Sequence, residues 1–258
     1  MSAYSALEKL FHRRSVLSEG AAILHWDNAV MMPDGGAESR AEQLATLGTV
    51  IHELITGSEV SDLLDKAEEE TDGLDEWQKA NLREMRTAWR HDNAVEADLV
   101  EAMSRATSKC EMTWRQAREE SDFSLLQDEL AEIVRLSRQV ARAKAEVLGL
   151  SDYDALLDQF EPGCRSAGID ILFDDLGAFL PPFLDKVLEK QAKIGPFEHL
   201  EGPFDRSLQR DLGEGFMKAL TFDFGRGRLD TSHHPFTGGT PDDVRLTTRY
   251  EDGDFTQS

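Results

Sequence analysis

The sequence predicts a mainly α-helical fold: a long-helix body carrying a groove, with a small β-sheet or hairpin near the C-terminus. Three observations predict it. Apolar residues recur at three- and four-residue spacings from the N-terminus to the region of Ala219, which is the period of one helix face. From Phe222 the texture changes, and Val244 to Tyr250 alternates apolar and polar residues in a Thr-rich run, the period of a strand. No internal repeat or low-complexity linker divides the 258 residues, a length sufficient for a substantial core, so 1–258 is read as a single helical domain.

The elements follow in order. Leu7, Leu10, Phe11, Val16, Leu17, Ile23, Leu24 and Trp26 place the first helix, which Met31-Met32-Pro33-Asp34-Gly35-Gly36 breaks, because proline disfavours helix in the residue before it. A second helix runs from about Ala37 to Ile55 with Leu44, Leu47, Ile51, Leu54 and Ile55 on one face and Gly57 as its C-cap. A third spans Val60 to Glu70, and Asp72-Gly73 turns the chain. Between Leu74 and Leu150 lie three long helices, broken near Asp92-Asn93 and Ser121-Asp122. The last presents Leu126, Leu130, Ile133, Val134, Val140 and Val147 as its apolar stripe and ends at Gly149. Glu111, Arg115 and Arg118-Glu119 are read as charges on outer helix faces.

Ser151 caps a short helix with Leu156, Leu157 and Phe160, stopped by Glu161-Pro162-Gly163. Another helix runs from about Ala167 to Lys193 with a bend or restart at Pro181-Pro182. Gly195-Pro196 and Gly202-Pro203 bracket a loop, and Asp205 to about Ala219 is helical. Residues 222–258 form the small sheet, with a tight turn at Gly238-Gly239-Thr240-Pro241.

Composition excludes several classes. Lys and Arg number 28 against 50 Asp and Glu, a net charge of −22 that argues against binding nucleic acid through its phosphates. Cys110 and Cys164 make no disulfide framework and are read as unpaired thiols in a reducing compartment. No signal-type or membrane-length apolar run occurs, so no membrane is expected as a partner and the expected location is cytoplasmic.

The candidate chemistry is sparse. His233 and His234 are adjacent, so on a strand they would face opposite sides and could not readily share one metal. Pro235 sets His234 in an extended conformation suited to a ring aimed into a cleft. Asp243, Arg245 and Thr247 share one face of the last strand. A guanidinium held by a neighbouring carboxylate there can receive a substrate carboxylate, or it can be a structural ion pair on the sheet. His25-Trp26-Asp27 is either a polar-aromatic corner or a helix packing its tryptophan, and Trp77, Trp89 and Trp114 are read as core or groove residues. The zinc-peptidase pattern His-Glu-x-x-His fails: the sole His-Glu pair, His52-Glu53, is followed at position 56 by Thr.

An ordered set of segments carries a resemblance. Trp26-Asp27 and Met31-Met32-Pro33 are followed by Gly35-Gly36-Ala37-Glu38-Ser39-Arg40-Ala41-Glu42-Gln43-Leu44, then Tyr153-Asp154-Ala155-Leu156-Leu157 and Glu161-Pro162-Gly163. His234-Pro235-Phe236 and Asp243-Val244-Arg245-Leu246-Thr247-Thr248-Arg249-Tyr250 complete the set. Together they resemble the thermostable (Taq-type) carboxypeptidase family of metallopeptidases. The resemblance implies a helical body with a deep groove and a small sheet at its wall, often a homodimer. It implies removal of C-terminal residues from peptide substrates with a divalent metal, zinc or cobalt, held by His-Glu-x-x-His and a later glutamate.

The resemblance places His234, Pro235 and Phe236 along the groove beside the metal, and Asp243, Arg245 and Thr247 on the substrate-facing strand. Arg245 becomes the candidate for substrate polar or carboxylate groups, and residues 1–57 a mobile groove wall. In that family the metal-binding helix follows the Asp-x-Arg-x-Thr strand, whereas this chain ends at Thr256-Gln257-Ser258. The expectation is therefore the N-terminal portion of a metallocarboxypeptidase, with no metal ligand or catalytic residue of its own, inactive alone. The alternative is a non-catalytic helical protein that binds peptides or a partner in the same groove. A fragment would expose apolar surface where its other half docks; a self-sufficient binding protein would not.

Overall fold

In the computed structural model, which describes residues 2–195 and 201–254, the helical period becomes nine α-helices and one three-stranded sheet among those residues. Ser2 opens α1 (Ala3–Val30), its side chain accepting from Ser5 N. A short 3₁₀ turn at Asp34–Gly36 leads into α2 (Ala37–Thr56), followed by α3 (Ser58–Glu69). Asp75 starts α4 (Glu76–Asn93) through a reciprocal capping box with Gln78. Next come α5 (Ala97–Glu120), α6 (Gln127–Leu148) and α7 (Asp152–Leu157). Ser121 and Gly149 end α5 and α6 in the left-handed conformation, at φ 53° and 69°.

Gly57 departs from the expected left-handed cap. Its φ of −54° and ψ of 142° make an extended joint, because α3 begins at the next residue and no chain reversal is needed.

The core lies in the first helices. Tyr4 and Leu7 of α1 pack with Val60, Leu64 and Ala67 of α3 and Leu82 of α4, and Leu10, Phe11 and Trp89 close around them. A second cluster joins Cys110 and Ala117 of α5 to Leu126, with Trp114 and Ile133 against it. Here the stripe expected on α6 divides. Leu126 is buried, but Leu130, Val134 and Val147 are exposed, and the inner face of α6 is instead Leu136, Ala141 and Lys144. Trp77 likewise proves to be 83% exposed rather than core, since it sits in the first turn of α4 beyond the reach of α1 and α3.

A buried polar cluster anchors the next part of the chain. His91 Nε2 lies 3.1 Å from Asp158 Oδ2, while Asp158 Oδ1 accepts from Gly163 N at 3.0 Å and Arg165 Nη1 at 2.6 Å. Lys144 Nζ donates to the Gln159 side chain. Through this cluster α4 and α6 hold the Glu161-Pro162-Gly163 turn from which α8 (Ser166–Ile194) departs.

The expected interruption of α8 at Pro181-Pro182 does not occur; the helix runs through both prolines. Each proline removes one N–H from the ladder, yet its fixed φ is compatible with helical backbone. More consequential is that α8 has no buried residue. Ile171, Leu172, Phe173, Leu176, Phe179, Leu180, Phe183, Leu184 and Leu188 are all exposed, and Phe179 and Phe183 stack on each other, centroids 5.2 Å apart. Pro196 lies outside the described residues, as do Thr256-Gln257-Ser258. In α9 (Arg206–Ala219), capped by Asp205, only Gln209 is buried; it donates to the carbonyls of Phe204 and Glu251.

The sheet comprises β1 (Gly227–Thr231), β2 (Thr237–Thr240) and β3 (Asp243–Thr248) in the order β1-β3-β2. β3 is parallel to β1 and antiparallel to β2. Gly238, Gly239 and Thr240, expected in a turn, belong to β2, and Pro241-Asp242 alone connects it to β3, since Thr240 pairs with Asp243. The glycine signal is real but has another cause. Gly239 has φ +87°, and a Cβ there would lie 2.0 Å from the Asp243 carbonyl oxygen, so the position demands glycine within a strand.

Candidate functional site

Strand β3 organises two groups of side chains. In the first, Arg228 of β1 and Arg245 of β3 are register partners, so two guanidiniums stand side by side. Each is held by a carboxylate two residues away. Arg228 contacts Asp230 at 2.6 and 2.7 Å, and Arg245 contacts Asp243 at the same distances. Both cations lie over the indole of Trp26, at 5.0 and 4.4 Å from the ring centroid. A cation over an indole face is attracted by the ring quadrupole, so Trp26 locks the sheet onto α1 while the aspartates cancel the repulsion between the arginines. The hydrogen bonds from Arg245 hold the Asp243 carboxyl below the usual carboxylate range. Of the two readings of His25-Trp26-Asp27, the structure realises both: Trp26 is buried, and Asp27 receives Arg40 Nη2 at 2.7 Å. Arg40 Nη1 also donates to the Leu24 carbonyl, which pins the start of α2 to the last turns of α1.

Two residues beyond Arg245 on the same face of β3, Thr247 fastens the turn between β1 and β2. Its hydroxyl is buried and accepts from Phe236 N at 2.9 Å, while its backbone N donates to Phe236 O at 2.9 Å. Ser232 Oγ lies 2.8 Å from both Thr247 Oγ1 and the His234 carbonyl oxygen. His233 and His234 sit in this turn rather than in a regular strand, both exposed, so the opposite-faces argument does not govern them.

The turn faces a cleft of about 430 Å³ formed with the end of α1 and the middle of α5. Ala29, Trp114 and Phe236 supply its apolar walls. Glu111 and Arg115, expected on an outer helix face, line it instead. Arg115 Nη2 donates to Glu111 Oε1 at 2.5 Å and Nη1 donates to the Asn28 carbonyl at 3.0 Å. Their four-residue spacing fits a solvated pair equally well; the long-range contact to α1 is what turns the pair inward. Arg118 closes the frame, donating to the His233 carbonyl at 3.2 Å while lying 5.5 Å from the Trp114 centroid.

The six residues singled out from the sequence thus fall into two sets. His234, Pro235, Phe236 and Thr247 build the cleft-side turn, and Asp243 and Arg245 build the sheet's contact with Trp26. Trp114, read from the sequence as a core or groove residue, lines the cleft, whereas Asn28, Ser232, Glu111 and Arg115 carry no signal in the sequence that marks them as site residues. Among the described residues no group of three or more His, Cys, Asp or Glu is placed so that it could hold a metal ion. Among them, too, no helix is long and apolar enough to cross a membrane.

The same architecture recurs in known proteins. The family described as carboxypeptidase Taq (M32) metallopeptidase matches residues 6–258. Carboxypeptidase 1 of Bacillus subtilis is 33% identical over 250 residues, covering 95% of this chain and 49% of that protein. Thermostable carboxypeptidase 1 of Pyrococcus furiosus is 33% identical over 251 residues, with the same coverage. Among solved structures, Trypanosoma cruzi metallocarboxypeptidase 1 superposes with a TM-score of 0.85 at 35% identity, over 99% of this chain and 51% of that one. The chain therefore spans about half the length of the curated relatives it matches.

Proposed function

The chain belongs to the carboxypeptidase Taq (M32) family of metallopeptidases, and on that premise we propose that it is the N-terminal portion of a metal-dependent carboxypeptidase that releases C-terminal residues from peptides. The observation that carries this reading is α8: a 29-residue helix, rich in Leu, Ile and Phe, with no buried residue. An exposed apolar stripe of that extent marks a surface built to be covered. Relatives of about twice the length supply a natural cover, and Leu208, Leu212, Phe216 and Leu220 of α9 continue the same character. A self-sufficient binding protein gives no reason for this surface.

On this reading the chain contributes the groove rather than the reaction centre. Arg40 and Asp27 hold the α1–α2 wall, Trp26 and the two arginines seat the sheet against it, and Thr247 sets the His234-Pro235-Phe236 turn along the cleft. Arg245 keeps Nη1 available for a polar or carboxylate group of the peptide while Asp243 holds Nε and Nη2. A zinc or cobalt ion held by groups beyond these residues would polarise the peptide carbonyl and lower the pKa of bound water. The expectations of a homodimer and of a cytoplasmic location belong to the same proposal and are open to sedimentation and fractionation.

The test is release of the C-terminal residue from a short N-blocked peptide, with and without zinc or cobalt. The chain alone releases nothing, and activity appears when the C-terminal half of a relative such as B. subtilis carboxypeptidase 1 is supplied together with metal. Metal-dependent release by the chain alone, surviving repurification, overturns the assignment of its role; no release in either arm removes the hydrolytic reading.

A further inference from the structure

We propose that the cleft between the end of α1, α5 and the His233–Phe236 turn is a subsite for one large apolar side chain of a bound peptide, with Trp114, Phe236 and Ala29 as its walls. The inference rests on the reading that the groove takes peptides, and it adds which side chains the groove prefers. Three observations converge on it.

Size is the first. At about 430 Å³ the cleft lies in the range of about 300–1,000 Å³ typical of ligand sites, and it is large enough for an aromatic side chain with its flanking backbone. Charge is the second. The carboxylate and guanidinium groups at the cleft are already engaged within the protein: Glu111 and Arg115 with each other, Arg115 also with the Asn28 carbonyl, and Arg118 with the His233 carbonyl. That leaves the exposed imidazoles of His233 and His234 as the other titratable groups lining it. An incoming carboxylate or ammonium finds no free guanidinium or carboxylate to pair with and would lose hydration for little return. An apolar side chain loses only unfavourable contact with water.

Preorganisation is the third. Trp114 is packed from behind by the Cys110, Ala117 and Leu126 cluster, and Arg118 lies over its ring. Phe236 is held by the hydrogen bonds of both its N–H and its carbonyl to Thr247. The Trp114 ring and the Phe236 backbone are therefore in place before a ligand enters, which lowers the ordering cost of binding.

The experiment uses the chain as it is, without metal. N-acetyl-Ala-Ala-Phe-Ala is titrated against the same peptide with Ala, Asp or Lys in place of Phe, and affinity is read by calorimetry and tryptophan emission. The Phe peptide should bind about tenfold or more tightly than the Ala peptide, the gain expected for burying most of a large apolar side chain. The Asp and Lys peptides should bind no better than Ala. Trp114→Ala, which empties the cleft, and Ala29→Phe, which fills it, should each abolish the preference with the helical circular dichroism retained. Trp77→Ala, at an exposed tryptophan that does not line the cleft, should leave the preference unchanged.

Equal affinities across the series, tighter binding of Asp or Lys, no binding of any peptide at millimolar concentration, or an intact preference in a folded Ala29→Phe protein overturns the proposal. The two readings can fail separately. A Phe preference without residue release by the reconstituted protein removes hydrolysis and keeps the subsite. Residue release with no preference for Phe over Ala removes the subsite and keeps hydrolysis.

Discussion

Replacing Thr247 with valine removes one hydroxyl and nothing else of consequence to shape, at a residue only 5% exposed. The loss falls on the turn that carries His234, Pro235 and Phe236. Phe236 N loses its 2.9 Å acceptor, and Ser232 Oγ keeps only the His234 carbonyl of its two partners. An N–H left unsatisfied in the interior costs about 1–3 kcal/mol. Phe236 is partly rather than fully buried, so water recovers some of that, and a loss of about 1–2 kcal/mol is expected. Urea unfolding measures the global part, and amide hydrogen exchange measures the local part at Phe236, whose protection should fall. Thr247→Ser is the control: it removes one buried methyl group, worth about 0.8 kcal/mol, but restores the hydroxyl and should restore protection at Phe236. A Thr247→Val protein within about 0.5 kcal/mol of the native one, or with unchanged exchange at Phe236, refutes the claim that this hydroxyl holds the turn.

Three further outcomes follow from the same contacts. Phe179→Glu combined with Phe183→Glu should leave the urea midpoint of the chain unchanged, since neither ring packs on the body, while lowering hydrophobic-dye binding and blocking assembly with a C-terminal half; a clear loss of stability would show that α8 is packed after all. Stability should fall on acidification. Burial lowers the His91 pKa against the pull of Asp158, so stability is full above the ordinary imidazole value and drops as pH falls below about 6.5, where the unfolded chain takes up its proton first. Burial alone would raise the Asp158 carboxyl, but hydrogen bonds from Gly163, Arg165 and His91 outweigh it and hold it low, so a second loss begins below about pH 4. A urea midpoint that is flat or rising between pH 7.5 and 5.5 contradicts the first step, and His91→Gln should reduce it. Arg245→Lys keeps the charge but loses the two-pronged contact with Asp243 and the flat contact with Trp26; it should lower the urea midpoint and shift tryptophan emission, and an unchanged emission spectrum argues against the stacked geometry.

Local physics makes much of the fold legible in the sequence. The Met31–Gly36 break, the caps at Ser151 and Asp205 and the ends at Ser121 and Gly149 depend on neighbours a few residues away, and each lies within a residue or two of where the spacing of residues predicts it. Expectation and structure part where one residue type serves two purposes. Gly238-Gly239 looks like a turn because glycine permits positive φ, yet at Gly239 the same freedom lets a strand approach Asp243. Pro181-Pro182 looks like a break, yet the helix continues through them. The stripe from Leu126 to Val147 has helical period, but period does not say which part of a broad apolar face meets a neighbour.

Sequence alone determines the helical class, the order of the elements, the change of texture at Phe222 and the family to which the motifs point, because all of these are written in short spacings. The cleft is of another kind. Arg115 reaches the Asn28 carbonyl across 87 residues, Arg118 reaches His233 across 115, and Trp26 receives arginines from two strands far along the chain. No periodicity encodes such pairings; they exist only once α1, α5 and the sheet are packed together. The same holds for α8, whose apolar residues have the spacing of a buried helix. Only the packed structure shows that the described part of the chain does not cover them, since amphipathic pattern records what a helix can bury and not what is there to bury it.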